Sequence, residues 1–234
     1  MTLDLGAATV LVTGANRGFG RHLAEQLLAR GATVYAGARD PRSVDLPGAR
    51  PLALDVTDPA SVTAAAREAG DVTVLINNAG VATGAAWLDD DLADVHREFD
   101  TNVFGTLAVT RAFVPVIEVN GGGALLNVLS VVSWFAPPHL AAYSASKSAE
   151  WSMTNGLRLA LAPRGIQVSG LHVGYMDTDL AAGIDDAKSD PAAIAKTTLD
   201  RFAAGDTEIL ADDVSRRVQA GLAGGVAALY PDVA

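Results

Sequence analysis

The chain has 234 residues, 50% of them hydrophobic and 6% aromatic, and its 17 Lys and Arg against 27 Asp and Glu leave a formal charge of −10. That length can bury one sizeable core, while an acidic balance with no block of Lys and Arg argues against a nucleic-acid surface, which needs clustered cations. Cysteine is absent, which excludes disulfides, thiolate metal sites and a cysteine nucleophile, and suits a reducing compartment.

Leu3-Asp4-Leu5-Gly6 near the start carries no basic stretch and no long apolar run, so a cytoplasmic protein without a membrane segment is expected. Short apolar runs at residues 7–12, 33–36, 51–54, 72–76, 123–128 and 166–171 read as buried parallel strands. Residues 20–30 and 61–69 have helical patterns, and the link between the second and third strands leaves room for a short helix at most. Longer helices are predicted over residues 91–118 and 141–162, on either side of the central strand in sequence. Asp190 followed by Pro191 has the form of an N-cap and first helical residue, opening a helix to about residue 204. A short strand at 208–210 and a helix over 212–222 close the pattern. The alternation predicts an α/β fold in one domain, residues 1–234. Its core is a doubly wound parallel sheet of about seven strands with helices on both faces and ligands at the carboxyl ends of the strands.

Thr13-Gly14-Ala15-Asn16-Arg17-Gly18-Phe19-Gly20 follows the first strand and opens a helix. Glycines so placed let the backbone approach a pyrophosphate, and the free amides of a helix start bind anions, so the segment reads as a dinucleotide loop. An acid at the end of the second strand would take the ribose hydroxyls of NAD, but this chain has Ala38 and Arg39 there, with Arg17 in the loop. Two guanidiniums can bracket a 2′-phosphate, which favours NADP; Asp40, one residue later, is the argument for NAD.

Tyr143 and Lys147 lie four residues apart in Tyr143-Ser144-Ala145-Ser146-Lys147, on one face of a helix. A cation at about 4 Å, with an effective dielectric near 20, is worth about 4 kcal/mol to a phenolate, or up to about three pKa units. Such a tyrosine becomes a usable proton donor.

With TGANRGFG, Asn77-Asn78-Ala79-Gly80 and YSASK in this order, the chain resembles the short-chain dehydrogenase/reductase family in its single-domain branch, whose fold is Rossmann-type. The resemblance implies that Asp55 and Val56 hold the adenine, and that Asn78, Ala79 and Gly80 lie along the adenosine ribose and brace the sheet. The family's serine, thirteen residues before the tyrosine, falls on Ser130, with Ser133 as a rival of the wrong spacing. The family's helix asparagine matches Asn102, which would bend its helix and hold a water of a proton relay, or simply be a buried polar satisfied locally. The implied reaction is reduction of a ketone or aldehyde by NADPH, reversible on a secondary alcohol. Tyr143 gives the proton, Ser130 binds the oxygen, and Lys147 grips the nicotinamide ribose and lowers the tyrosine pKa. Gly174 and Thr178 keep the family's places beside the nicotinamide, but Val173 stands where a proline is usual, which predicts a less rigid loop.

Candidate walls of the substrate pocket are Trp134, Phe135, Pro137, His139, Trp87, Tyr175, Met176 and Leu180, any of which could instead be core or interface. The alternatives are a ketoacyl-type reductase of a biosynthetic pathway and an NADPH-binding regulator without turnover; no metal is expected. The resemblance also implies a homodimer or homotetramer, and the Ala-rich faces of residues 107–116 and 149–161 would allow close approach.

Overall fold

The computed structural model describes residues 3–88 and 90–231. These form a seven-stranded sheet, β1 (Thr9–Thr13), β2 (Thr33–Ala38), β3 (Arg50–Ala53), β4 (Val74–Asn77), β5 (Gly123–Val128), β6 (Ile166–His172) and β7 (Glu208–Leu210). Every pairing is parallel, in the order β3-β2-β1-β4-β5-β6-β7. The order reverses between β1 and β4, and such a switch point is where an open α/β sheet leaves a crevice for a ligand.

The helices are α1 (Gly18–Ala29), α2 (Pro59–Glu68), α3 (Leu92–Phe99), α4 (Thr106–Val119), α5 (Ala141–Leu161), α6 (Pro191–Ala204), α7 (Asp213–Gly221) and α8 (Gly225–Leu229). Alternate strand residues feed opposite faces, as the pleat requires. Val10, Val12 and Leu126 pack with Phe19, Leu23 and Leu27 of α1 and Leu199 and Phe202 of α6. Leu11, Leu75 and Leu125 pack with Val62 of α2, Phe113 and Ile117 of α4, and Leu161 of α5. Both faces are therefore apolar, which explains why the strands read as continuous hydrophobic runs rather than alternating ones.

Two expectations change. Residues 91–118 are not one helix but α3 and α4 joined by a π-helical turn, Asp100–Gly105, which contains Asn102. A side chain at Gly105 would press on Val56 and the Asp100 carbonyl, so the widened turn lies flush against the β3–α2 connection. Within Leu92–Val119 an 18-residue window has a mean hydropathy of 1.3, apolar enough by length and composition to cross a bilayer, but half of that window is buried in the fold. The helix over 212–222 is also not the last element, since α8 follows it. Asp190 caps α6 as expected, its carboxylate accepting from the Ala192 amide.

Candidate active site

At the carboxyl ends of the strands lies a cleft of about 1440 Å³, larger than the roughly 300–1,000 Å³ of a single small-molecule pocket. The glycine loop forms one end. Gly14 has φ +65° and sits against Ala79, so it needs both the left-handed backbone and the missing side chain. Gly20 does not reach the cleft lining: a side chain there would collide with the Gly14 carbonyl and the Asn78 amide, so its place is in packing α1 against the loop rather than touching a ligand. Asn16, Arg17, Gly18 and Phe19 do line the cleft, and Gly18 faces Thr178 across it.

Asp40 caps a short 3-10 turn, and its two carboxylate oxygens take the Arg42 guanidinium at 3.0 and 3.1 Å. Its carboxylate is thereby paired, and both Asp40 and exposed Arg39 stand on the cleft wall. Asp55 accepts from the amide and hydroxyl of Thr57, whose bonds, with Arg39 adding its charge, hold the Asp55 carboxyl below the usual range. Val56 lines the cleft beside it. Asn78 donates from Nδ2 to the Thr13 and Gly14 carbonyls, while Thr13 Oγ1 accepts from the amides of Asn78 and Ala79. These bonds lash the β4 end to the glycine loop. Gly80 permits a close approach, since a Cβ there would lie only 3.2 Å from Asn102 Oδ1 and 3.9 Å from Lys147 Nζ. The free backbone at the helix start, the bare backbone of Gly14 and Gly80 on the cleft wall and the two cleft-lining arginines fit a phosphorylated dinucleotide.

Ser130, Tyr143 and Lys147 meet in the same cleft. Ser130 caps a 3-10 turn at the end of β5, its Oγ accepting from the Val132 amide at 3.3 Å. Ser133 completes that capping box and is buried, so the rival serine is occupied by the turn. Tyr143 lies in the first turn of α5. Burial first, then the Glu150 and Glu98 carboxylates, hold its phenol above the ordinary range, against the downward pull of Lys147 and a Ser130 hydrogen bond. The expected lowering by Lys147 is thus present but outweighed. Lys147 Nζ lies 5.8 Å from the Tyr143 ring centroid and donates to the Val128 carbonyl at 2.9 Å and to Glu150 Oε2 at 2.6 Å.

Asn102 is fully buried. Its Nδ2 donates to the Val81 carbonyl and Ser146 Oγ, and its Oδ1 accepts from the Val81 amide, so the side chain clamps the π turn to the segment after β4 and to α5. Both amide protons are committed, while Oδ1, with one of its two lone pairs used by the Val81 amide, keeps an acceptor for one further bond. Val173 is buried, its carbonyl accepts from the Val131 amide, and the Gly174 amide donates to Asp212. The loop predicted to be slack is pinned on both sides.

The pocket walls need correction. Trp134 is 8% exposed, stacks on His172 at 3.8 Å and meets Trp151 edge-on, so it is core behind Ser130. His139 is exposed at the rim, with Nε2 3.1 Å from the Tyr175 hydroxyl, and neither it, Pro137 nor Trp87 lines the cleft. Phe135, Tyr175, Met176 and Leu180 do. Sequence reasoning missed Glu150, Glu98 and His172. Glu150, one helical turn beyond Lys147, was open to the same spacing argument that joined Tyr143 to Lys147. His172, whose Nδ1 lies 3.2 Å from the Ser130 carbonyl, left no such trace.

The short chain dehydrogenase family profile matches residues 8–189. A NADPH-dependent 1-acyldihydroxyacetone phosphate reductase of Schizosaccharomyces pombe is 36% identical over 180 residues, 73% of this chain and 60% of the relative, so the chain spans under two thirds of that protein's length. A short chain dehydrogenase from Burkholderia cenocepacia, solved with NADP, is 36% identical with a TM-score of 0.93, covering 98% of each chain. A 3-ketoacyl-(acyl-carrier-protein) reductase from Brucella melitensis, solved with NADH, is 27% identical with a TM-score of 0.81, covering 88% of this chain and 96% of its own. Taken with the seven-stranded parallel sheet and the glycine loop, these likenesses establish that the chain belongs to the short-chain dehydrogenase/reductase family of oxidoreductases.

Proposed function

We propose that this protein is an NADPH-dependent carbonyl reductase, converting a ketone or aldehyde to an alcohol and running in reverse on a secondary alcohol. The observation that carries the reading is the convergence of Ser130, Tyr143 and Lys147 in the cleft opened by the glycine loop. Arg17 and Arg39 line that cleft, and Asp40, the acid next to Arg39 in the chain, has its charge paired with Arg42, which favours NADP over NAD; the NADP in the Burkholderia structure and the name of the Schizosaccharomyces relative point the same way. In this reading Gly14, Asn16, Arg17, Gly18 and Phe19 hold the pyrophosphate. Asp55 and Val56 take the adenine, Asn78, Ala79 and Gly80 the ribose beside it, and Gly174 and Thr178 the carboxamide end.

NADPH, when bound, supplies the hydride. Ser130 Oγ and the Tyr143 hydroxyl hydrogen-bond the carbonyl oxygen, and Tyr143 gives it a proton as negative charge develops there. Lys147 stabilises the phenolate left behind and grips ribose hydroxyls, while Asn102 acts by bracing the π turn against α5. Because burial keeps Tyr143 protonated above the ordinary tyrosine range, reduction runs through neutral pH and declines only in alkali. Oxidation needs the phenolate and gains there.

Asp186 near Tyr175 makes the mouth a poor seat for an acidic carrier protein, which favours free small molecules with an apolar or aromatic part that fits Phe135 and Met176. We also infer a cytoplasmic homodimer or homotetramer, supported by Phe104, Val119 and Leu159, which stand exposed along the π turn, α4 and α5. The test is loss of NADPH absorbance against a panel of ketones, aldehydes and ketoacyl thioesters. Oxidation with at least one free ketone or aldehyde is expected, and none with any compound would return the protein to the regulator class.

A further inference from the structure

Glu150 stands beside Tyr143 and Lys147 with no task in the reduction described above. It lies on α5 one turn after Lys147, and its Oε2 is 2.6 Å from Lys147 Nζ, with the two side chains 1% and 5% exposed. Thr106 of α4 lies beside the same carboxylate and steadies its charge. With Val128 O as its second partner, two of the three ammonium protons are committed, and the third is left for the side facing Gly80 and the Tyr143 ring.

A buried ion pair is a weak source of stability, since apolar residues of similar size often serve as well. Its electrical effect on the neighbouring phenol is harder to replace. Tyr143 and Lys147 together carry one positive charge while both are protonated and none after either loses a proton. A fixed negative charge beside them opposes that loss whichever group gives up the proton, so the sign does not depend on dividing the titration between them. The other groups facing the pair are Glu98 from α3, Ser130 from the end of β5 and Tyr175 after β6, with Asp186 beyond Tyr175 and His172 behind Ser130. Glu98 is fully buried, and its Oε1 is held by the amide and hydroxyl of Thr83. Of these carboxylates, Glu150 touches the ammonium.

We propose that Glu150 is a positioning residue of the active site, whose carboxylate anchors the Lys147 ammonium and holds the proton of the Tyr143–Lys147 pair to higher pH, keeping the site in its reducing form through neutral conditions. The proposal rests on the reading of Tyr143 as proton donor. The directions agree with it. Burial opposes the Lys147 charge, yet Glu150, with Tyr143, more than offsets this and raises Lys147, and Glu150 adds to the upward push on Tyr143. Burial likewise raises Glu150 itself, against the pull of Lys147 and Thr106.

The experiment is a titration of the Tyr143 phenolate by ultraviolet difference absorbance, identified by subtracting the Tyr143→Phe protein, in the wild type, Glu150→Gln and Glu150→Asp, each with NADP. It is read beside the pH profile of NADPH-driven reduction. In Glu150→Gln the phenolate transition and the alkaline limb of reduction are expected to move down together by about one to two pH units, from a unit charge several ångströms away at an effective dielectric near 20. Glu150→Asp keeps the charge and is expected to keep the wild-type position. A folded Glu150→Gln protein that binds NADP and titrates where the wild type does overturns the proposal and leaves Glu150 as packing. Should that variant not fold, the wild type decides: an infrared band of a protonated carboxyl at neutral pH that shifts in Glu150→Asp would leave no charge beside Lys147 and also overturns it. Absence of turnover with every carbonyl tried would sink the reductase reading instead, and leaves the titration to be read.

Discussion

Two ends of one cleft are held together by different means. At the glycine loop the bonds to the strand ends each have the main chain as at least one partner: Thr13 Oγ1 accepts two backbone amides, Asn78 Nδ2 returns to the Thr13 and Gly14 carbonyls, and the Ala15 amide donates to Gly37. At the substrate mouth the tie across the opening is a pair of side chains, His139 Nε2 and the Tyr175 hydroxyl at 3.1 Å, between a 3-10 turn and the loop after β6. A site built from backbone geometry tolerates few residue types, while one closed by side chains can be retuned without disturbing the sheet. Between the two lie Ser130, Tyr143 and Lys147, the first at a strand end and the others on the long helix α5, the rigid kind of support that the proposed hydride transfer needs.

The largest test of this division falls on the centre. Tyr143→Phe keeps the ring and removes the proton, so turnover is expected to fall by about 10²–10⁴-fold. NADPH affinity, which belongs to the main-chain end, should barely change. Steady-state kinetics beside NADPH fluorescence titration separate the two, and near-normal turnover would break the mechanism. Next is Trp134 against Phe135, adjacent residues on opposite sides of the wall. Trp134→Ala removes a buried ring stacked on His172 and should cost about 3–5 kcal/mol in chemical denaturation. Phe135→Ala, on the cleft side, should raise KM for a bulky ketone while leaving the unfolding midpoint nearly in place. If the two variants behave alike, the wall has been drawn in the wrong place.

The same contrast explains what could be read in the sequence. The strands, the helix that carries Tyr143, the cap at Asp190 and the glycine loop were all legible, because each follows from a local rule of periodicity, capping or φ. The break of the 91–118 helix was half legible: Asn102 marked the bend, but a π turn has no composition of its own and is fixed by Asn102 clamping Val81 and Ser146. Trp134 was misplaced because an aromatic beside a candidate serine looks the same in sequence whether it turns outward to the cleft or inward to His172. The pull of Lys147 on Tyr143 has the expected sign, but the net direction was not legible, since helical spacing displays Lys147 and not the depth of burial or Glu98 arriving from α3.

At the glycine-loop end, the proposed function has side chains choose the cofactor while the backbone binds it. Replacing Arg39 with Asp removes a cation from the cleft wall and puts an acid where ribose hydroxyls would lie. The NADPH-over-NADH ratio of kcat/KM is expected to fall by about 10–100-fold, at ~1.4 kcal/mol per factor of ten. Any activity with NADH should survive, because Gly14, Asn78 and the α1 amides are untouched. A uniform loss with both cofactors would instead show Arg39 to be part of the scaffold.

The smallest effect is expected at the mouth. Tyr175→Phe deletes the hydroxyl that meets His139 and leaves the ring on the cleft wall. The bond lies at an exposed rim, where a hydrogen bond contributes about 0.5–1.5 kcal/mol, so its loss frees the two loops to part without unfolding anything. KM should move by about 2–10-fold, by the same conversion of free energy into affinity, and more for large carbonyls than for small ones. The turnover number and the alkaline limb should stay put, because Tyr175 neither gives the proton nor touches Lys147. If kcat falls as far as KM rises, the rim pair reaches into the reacting centre, and the separation between a replaceable mouth and a fixed interior fails at that point.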